Sequence, residues 1–191
     1  MNMRLNGVER MTVIVQDVLI RSINDAVSEV FLTMLDMSVH CTGLVPDSRA
    51  SDSGVVALVG ITGDWGGSGV FCCTPAFAGG ICARMLGMDS GANKTMIDEE
   101  VLDVVAEVAN MMVGNIKNGL EPATGPLAIS VPTVIHGRNF QFRSGTGLRG
   151  ATLGFEAEGE RFEVRISLAP TAEPSILRAR IPILGLAHID G

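Results

Sequence analysis

Apolar residues recur at helical spacing over residues 13–35, through Val15, Val18, Leu19, Ile23, Val27, Val30 and Met34, and this predicts a first helix. Residues 36–53 are richer in turn formers, with Pro46, Asp47 and Ser48 as a turn, and read as a surface crossing. Two β-rich runs follow, residues 55–62 and 68–73, separated by Gly63, Asp64, Trp65, Gly66 and Gly67, which predicts a hairpin. Thr74 stands before Pro75 as an N-cap stands before a first-turn proline, so a second helix should open there and end near Leu86 and Gly87. Thr95 with Asp98 three residues on resembles a capping box for a third helix reaching about Gly119. Residues 127–131, 133–136, 148–157 and 161–168 are strand-like, with Glu158 and Gly159 as the tightest turn among them. This order predicts an α+β domain in which helices pack on a largely antiparallel sheet. Residues 1–12 form an N-terminal segment, 13–170 the domain, and 171–191 an extension. The extension carries the apolar run RIPILGLAHI, which suits an edge strand or docking on a partner, although Pro182 weakens the strand reading.

The third helix has an unusual cross-section. At about 100° per residue, Asp103, Glu107, Asn110, Gly114 and Lys117 fall within an arc of roughly 80°. Val104, Val105, Val108, Met111, Met112 and Ile116 occupy much of the remaining circumference, as in a helix buried on most sides. Only the narrow polar stripe is left to face water or a partner. An acid, an amide three residues later and a glycine one turn beyond make a surface that a second protein can approach closely.

Composition narrows the classes of function. The 191 residues suit one domain with a substantial core, which the 47% hydrophobic share supports. Fourteen Lys and Arg against twenty-one Asp and Glu give a net charge of -7, which opposes a phosphate backbone or an anionic membrane surface. One Trp and no Tyr leave few platforms for base stacking, so no nucleic-acid partner is expected. Residues 65–83 lack charge, but five glycines and the Thr74-Pro75 break argue against a membrane helix. The N-terminus lacks the apolar core of a secretory signal. Cys41, Cys72, Cys73 and Cys82 show no metal-binding spacing, and Cys72 and Cys73 read as small fillers pointing to opposite faces of a strand. Reduced thiols, the absence of a targeting signal and the acidic balance suit a cytoplasmic protein.

Two other patterns carry little. Gly145, Gly147 and Gly150 match GxGxxG, but the following ATLGFEA reads as a strand and not a helix, so they form a loop. His40, His136 and His188 lack ligand-like spacing, and no metal or cofactor is expected in this chain. Asp98, Glu99 and Glu100 favour the start of the third helix through its dipole.

Asp103, Glu107 and Asn110 have the form DxxxExxN, and Pro132 lies twenty-two positions after Asn110. Together with GITG at residues 60–63, MLG at 85–87, the helix DEEVLDVVAEVANMMVGNIK and the following ISVPTVIHGR, this pattern resembles the CheC and CheX chemotaxis phosphatases over roughly residues 13–168. The single-helix CheX type is the closer match. The first helix offers Asp25 and Glu29 but has Leu32 where a second site needs its amide. The extension and a longer segment before the hairpin depart from the family pattern.

The resemblance implies a phosphatase acting on the aspartyl phosphate of a CheY-like receiver domain, with Glu107 and Asn110 as catalytic residues. Asn110 would orient the attacking water, and Glu107 would pair with the receiver's active-site lysine. Asp103, Gly114 and Lys117 are candidate partner contacts. Mg²⁺ is expected on the receiver and not on this chain, and CheX-like proteins pair as homodimers. A receiver-binding or flagellar-switch-like adaptor without catalysis is the alternative, since a helix stripe serves binding as well as hydrolysis. A purely structural dimer would leave Glu107 and Asn110 without a shared task.

Overall fold

The computed structural model describes residues 7–46, 50–88, 96–141 and 148–171. Among these described residues, three helices and seven strands follow in the order α1 (Gly7–Leu35), β1 (His40–Leu44), β2 (Ala50–Gly63), β3 (Trp65–Cys73), α2 (Pro75–Met85), α3 (Glu99–Thr124), β4 (Leu127–Ile129), β5 (Thr133–Gln141), β6 (Arg149–Ala157) and β7 (Glu160–Pro170). The strands form one sheet in the order β1-β6-β7-β3-β2, and β4 and β5 share the far side of β2. Every pairing is antiparallel. The architecture is the expected α+β one, helices on an antiparallel sheet.

Alternation along the strands builds the core. β2 turns Val55, Ala57, Val59 and Ile61 toward the helices, and register places Ala57 beside Phe71, Phe71 beside Val164 and Val164 beside Leu153. Phe162 stacks on Phe31 of α1 at 4.8 Å and on Phe77 of α2 at 5.1 Å, and meets Phe71 edge-on at 5.7 Å. One ring thus joins two helices to the sheet, and truncating such a ring costs about 3–5 kcal/mol. Val101, Val105, Val108, Met112, Ile116 and Leu120 bury the core side of α3.

Several boundaries differ from the sequence pattern. The first helix begins at Gly7, before residue 13. The expected surface crossing of residues 36–53 contains β1 and the start of β2; β1 pairs with β6 through His40 opposite Glu156 and Cys41 opposite Phe155. The hairpin linker is shorter than its glycines suggested, because only Asp64 separates β2 from β3. Gly66 and Gly67 belong to β3, and a Cβ at Gly67 would lie 1.9 Å from the Ser167 carbonyl oxygen of β7. Thr74 caps α2 as expected, accepting from the Phe77 N–H at 3.0 Å. Glu158 and Gly159 both take positive φ, as a two-residue hairpin turn requires.

α3 is capped by Asp98, whose carboxylate accepts from the Val101 N–H at 3.0 Å; Thr95 lies outside the described residues. The helix continues past Gly119 to Thr124, with Pro122 in its last turns. Gly119 is a packing residue there, since a Cβ would come within 2.7 Å of Ser22 Oγ on α1. β4 and β5 act as one interrupted edge. From Ile61 to Leu58 is three steps on β2, but their partners, Ile129 and Thr133, are four apart. The extra residue makes a bulge at 130–132, where Pro132 has no ladder hydrogen bond to lose. Gly150 lies in β6, whereas Gly145 and Gly147 fall outside the described residues, as do His188 and residues 172–191.

Candidate functional site

α3 exposes its polar stripe because its other sides are taken up by α1, α2 and the sheet. Asp103 and Glu107 are exposed, and Asn110, Gly114 and Lys117 are half-buried at the margin of the core. Val104 and Met111, which flank the stripe, pack partly against the core. Glu107 and Asn110 are separated by about 4.5 Å along the axis and about 60° around it, so their side chains can reach into one partner pocket. Neither makes a side-chain hydrogen bond or ion pair with another described residue.

The lower end of the stripe is engaged within the chain. Lys117 Nζ donates to Glu121 Oε1 at 2.7 Å and to the Leu127 carbonyl at 3.3 Å, while Glu121 Oε1 accepts from the Leu127 N–H at 3.1 Å. The Lys117 hydrogen bond, followed by that from Leu127, holds the Glu121 carboxyl below its usual range. The ammonium is therefore a clamp between the end of α3 and the start of β4. Its i,i+4 spacing to Glu121 was readable in the sequence, but its bond to Leu127 was not.

Beside the middle of the stripe runs the β4–β5 edge. A Cβ at Gly114 would meet Ile129 Cδ1 at 3.8 Å, an ordinary contact, so the internal packing does not demand glycine there. One residue beyond Ile129 the bulge is fixed to β2: Ser130 N–H donates to the Gly60 carbonyl and Gly60 N–H donates to Ser130 Oγ, both at 2.9 Å. Ser130 Oγ in turn donates to the Val131 carbonyl at 2.8 Å. Val131 is 85% exposed. Gly60 and Ser130 both stand in motifs singled out in the sequence, GITG and ISVPTVIHGR, but spacing alone could not pair them.

The comparable face of α1 is arranged differently. Asp25 and Glu29 are exposed, yet Glu29 Oε2 accepts from Asn115 Nδ2 of α3 at 3.3 Å, and Leu32 stands exposed at the amide position. Asn110 thus has no counterpart on α1. His40 and His136 sit on opposite edges of the sheet. Among the described residues no group of three His, Cys, Asp or Glu is gathered as metal ligands would be, and no helix is long and apolar enough to cross a membrane. None of the four cysteines is in a disulfide among the described residues.

Known proteins are similar to this chain in sequence and fold. The sequence model of the family described as "Chemotaxis phosphatase CheX" matches residues 55–156, a span containing both the α3 stripe and Pro132. The CheY-P phosphatase CheX of Thermotoga maritima is 30% identical over 90 residues, 47% of this chain and 56% of that protein. The chain thus spans little more than half the length of that relative. A CheC-like superfamily protein from Shewanella sp. PV-4 is 25% identical with a TM-score of 0.69, covering 80% of this chain and 97% of the other. The CheX–CheY–BeF3–Mg²⁺ complex from Borrelia burgdorferi matches at 25% identity and a TM-score of 0.59, over 78% of this chain and 97% of the other.

Proposed function

We propose that this chain, which belongs to the chemotaxis phosphatase CheX family, hydrolyses the aspartyl phosphate of a CheY-like response-regulator receiver domain and so ends a chemotaxis-type signal. The observation that carries the reading is the pair Glu107 and Asn110, uncommitted inside the fold and side by side on a helix otherwise packed away. The Borrelia complex, a CheX bound to CheY with BeF3 and Mg²⁺, supports the choice of partner.

The chemistry asks little of this chain. A receiver domain brings its own Mg²⁺, acidic ligands and lysine to the phosphoryl group, and what hydrolysis still needs is a water held in line. The Asn110 carboxamide accepts one hydrogen bond and donates others without placing negative charge beside the phosphoryl oxygens. The water oxygen bonds to phosphorus as the bond to the aspartyl oxygen breaks, and the electron pair of that bond stays on the released carboxylate. Both protons of the water leave with the inorganic phosphate. Glu107, one turn away, pairs with the receiver lysine and fixes the register of the two proteins. Asp103 extends the acidic edge of the same contact, and Gly114 leaves room for the receiver backbone. The chain itself contributes no metal, acts in the cytoplasm where receivers are found, and works as a homodimer.

The test is loss of phosphoryl label from a phosphorylated receiver of the same organism, with and without this protein. Acceleration is expected for at least one receiver. Binding without acceleration across all of them would leave only an adaptor.

A further inference from the structure

Val131 is an apolar side chain held out from the fold on a fixed turn. It is 85% exposed, more than any other large apolar residue among those described. Its backbone is tied on both sides. The Ser130 N–H donates to the Gly60 carbonyl, the Gly60 N–H donates to Ser130 Oγ, and that hydroxyl donates to the Val131 carbonyl, while Pro132 has its φ set by its ring.

Two contacts place this valine along α3. Lys117 Nζ meets the Leu127 carbonyl at 3.3 Å, and a Cβ at Gly114 would meet Ile129 Cδ1 at 3.8 Å. The chain therefore runs back along the helix as it advances through β4. Two further residues carry it about 6.6 Å, which matches about four residues of helix, and four residues before Gly114 is Asn110. Val131 thus stands about level with Asn110, on the flank of the polar stripe that Gly114 turns toward β4.

We propose that Val131 is an apolar anchor for the receiver domain, seated beside the phosphorylation pocket while Glu107 and Asn110 enter it; the inference rests on the receiver reading above. The stripe alone is a poor source of affinity. Asp103 and Glu107 are exposed carboxylates on a chain of net charge -7, and they approach a phosphoryl group ringed by acidic ligands. Covering an apolar side chain stabilises the complex whatever the charges around it. A β-branched residue on a fixed backbone also has little freedom to lose when it is covered. A second copy seated on Val131 would close off Asn110, so the occupant that fits an open catalytic stripe is the receiver.

The experiment compares the wild type with Val131→Ala, Val131→Thr and Val131→Ile. KM and kcat are measured for a phosphorylated receiver of the same organism, and Kd by calorimetry for that receiver with BeF3 and Mg²⁺. Threonine keeps the branched shape and exchanges a methyl for a hydroxyl, so it tests apolar character without altering the turn. Alanine and threonine should each raise KM and Kd about fivefold or more, and isoleucine should not. The kcat should stay within about twofold, because the contact is made equally in the ground and transition states. Unchanged KM and Kd in the alanine and threonine variants, beside a wild type that accelerates hydrolysis, would overturn the anchor and leave the phosphatase reading standing. A loss confined to kcat would overturn it as well. Binding by the wild type without hydrolysis would end the phosphatase reading, and the Kd values would then decide the anchor by the same criterion. A wild type that neither binds nor hydrolyses would end both.

Discussion

Ser130 and Gly60 bond to each other twice, main chain to main chain and main chain to side chain, each at 2.9 Å. The pair pins the one-residue bulge that separates β4 from β5 and sets it beside α3. Losing the hydroxyl removes one of those bonds, and a typical net value is about 1 kcal/mol. Ser130→Ala should lower unfolding stability in urea by about that amount, whereas Val131→Ala, altering a residue 85% exposed, should leave it nearly unchanged. Equal stability for the serine variant and the wild type would show that the bulge is held by other means.

Gly114 separates packing from partner approach. Its missing Cβ would touch only Ile129 Cδ1 at 3.8 Å, so alanine fits and should raise helix stability by about 0.5–1 kcal/mol. On the proposed docking face the same methyl stands between two backbones. Gly114→Ala should therefore melt higher yet bind a phosphorylated receiver several-fold more weakly in calorimetry. Unimpaired binding would place the interface nearer Asp103.

The Lys117–Glu121 clamp has a pH signature. Because the folded state depresses the Glu121 carboxyl, its contribution is present above the ordinary glutamate range and is lost as pH falls through the lowered value. Glu121→Gln should thus melt below the wild type at neutral pH, and the gap should close as the solution is acidified. A gap independent of pH would mean that the carboxylate's charge plays no part.

Among the described residues the sheet ends at β1 on one side and at β4 and β5 on the other. A second copy adding to an edge would pair its backbone. Light scattering should give twice the 20.1 kDa chain mass at micromolar concentration. The monomer mass across a wide concentration range would remove the dimer from the account.

What the sequence disclosed was local. The stripe on α3 could be drawn from residue spacing because a helix fixes azimuth within one turn, and the Thr74-Pro75 start of α2 was legible for the same reason. β1 was not legible: HCTGL has no fully buried residue, and its strand character comes from β6, more than a hundred residues away. Gly119 and Gly67 looked like breakers, although each is small because Ser22 or the Ser167 carbonyl packs against it. In the site, spacing gave Glu107 and Asn110 but could not show Lys117 engaged with Leu127, since that contact depends on where β4 begins.

The central claim is that Asn110 positions water while Glu107 anchors the partner, and one matched comparison addresses it. Dephosphorylation of a receiver and affinity for its phosphorylated form are measured for the wild type, Asn110→Ala and Glu107→Ala, with circular dichroism confirming the fold of each. Asn110→Ala should lose most of the acceleration, about 100-fold or more, with affinity nearly intact, because water positioning acts in the transition state. Glu107→Ala should weaken both. Asn110→Asp should fall nearly as far as alanine, since it sets a negative charge against the phosphoryl group. Full activity in either Asn110 variant would contradict the account.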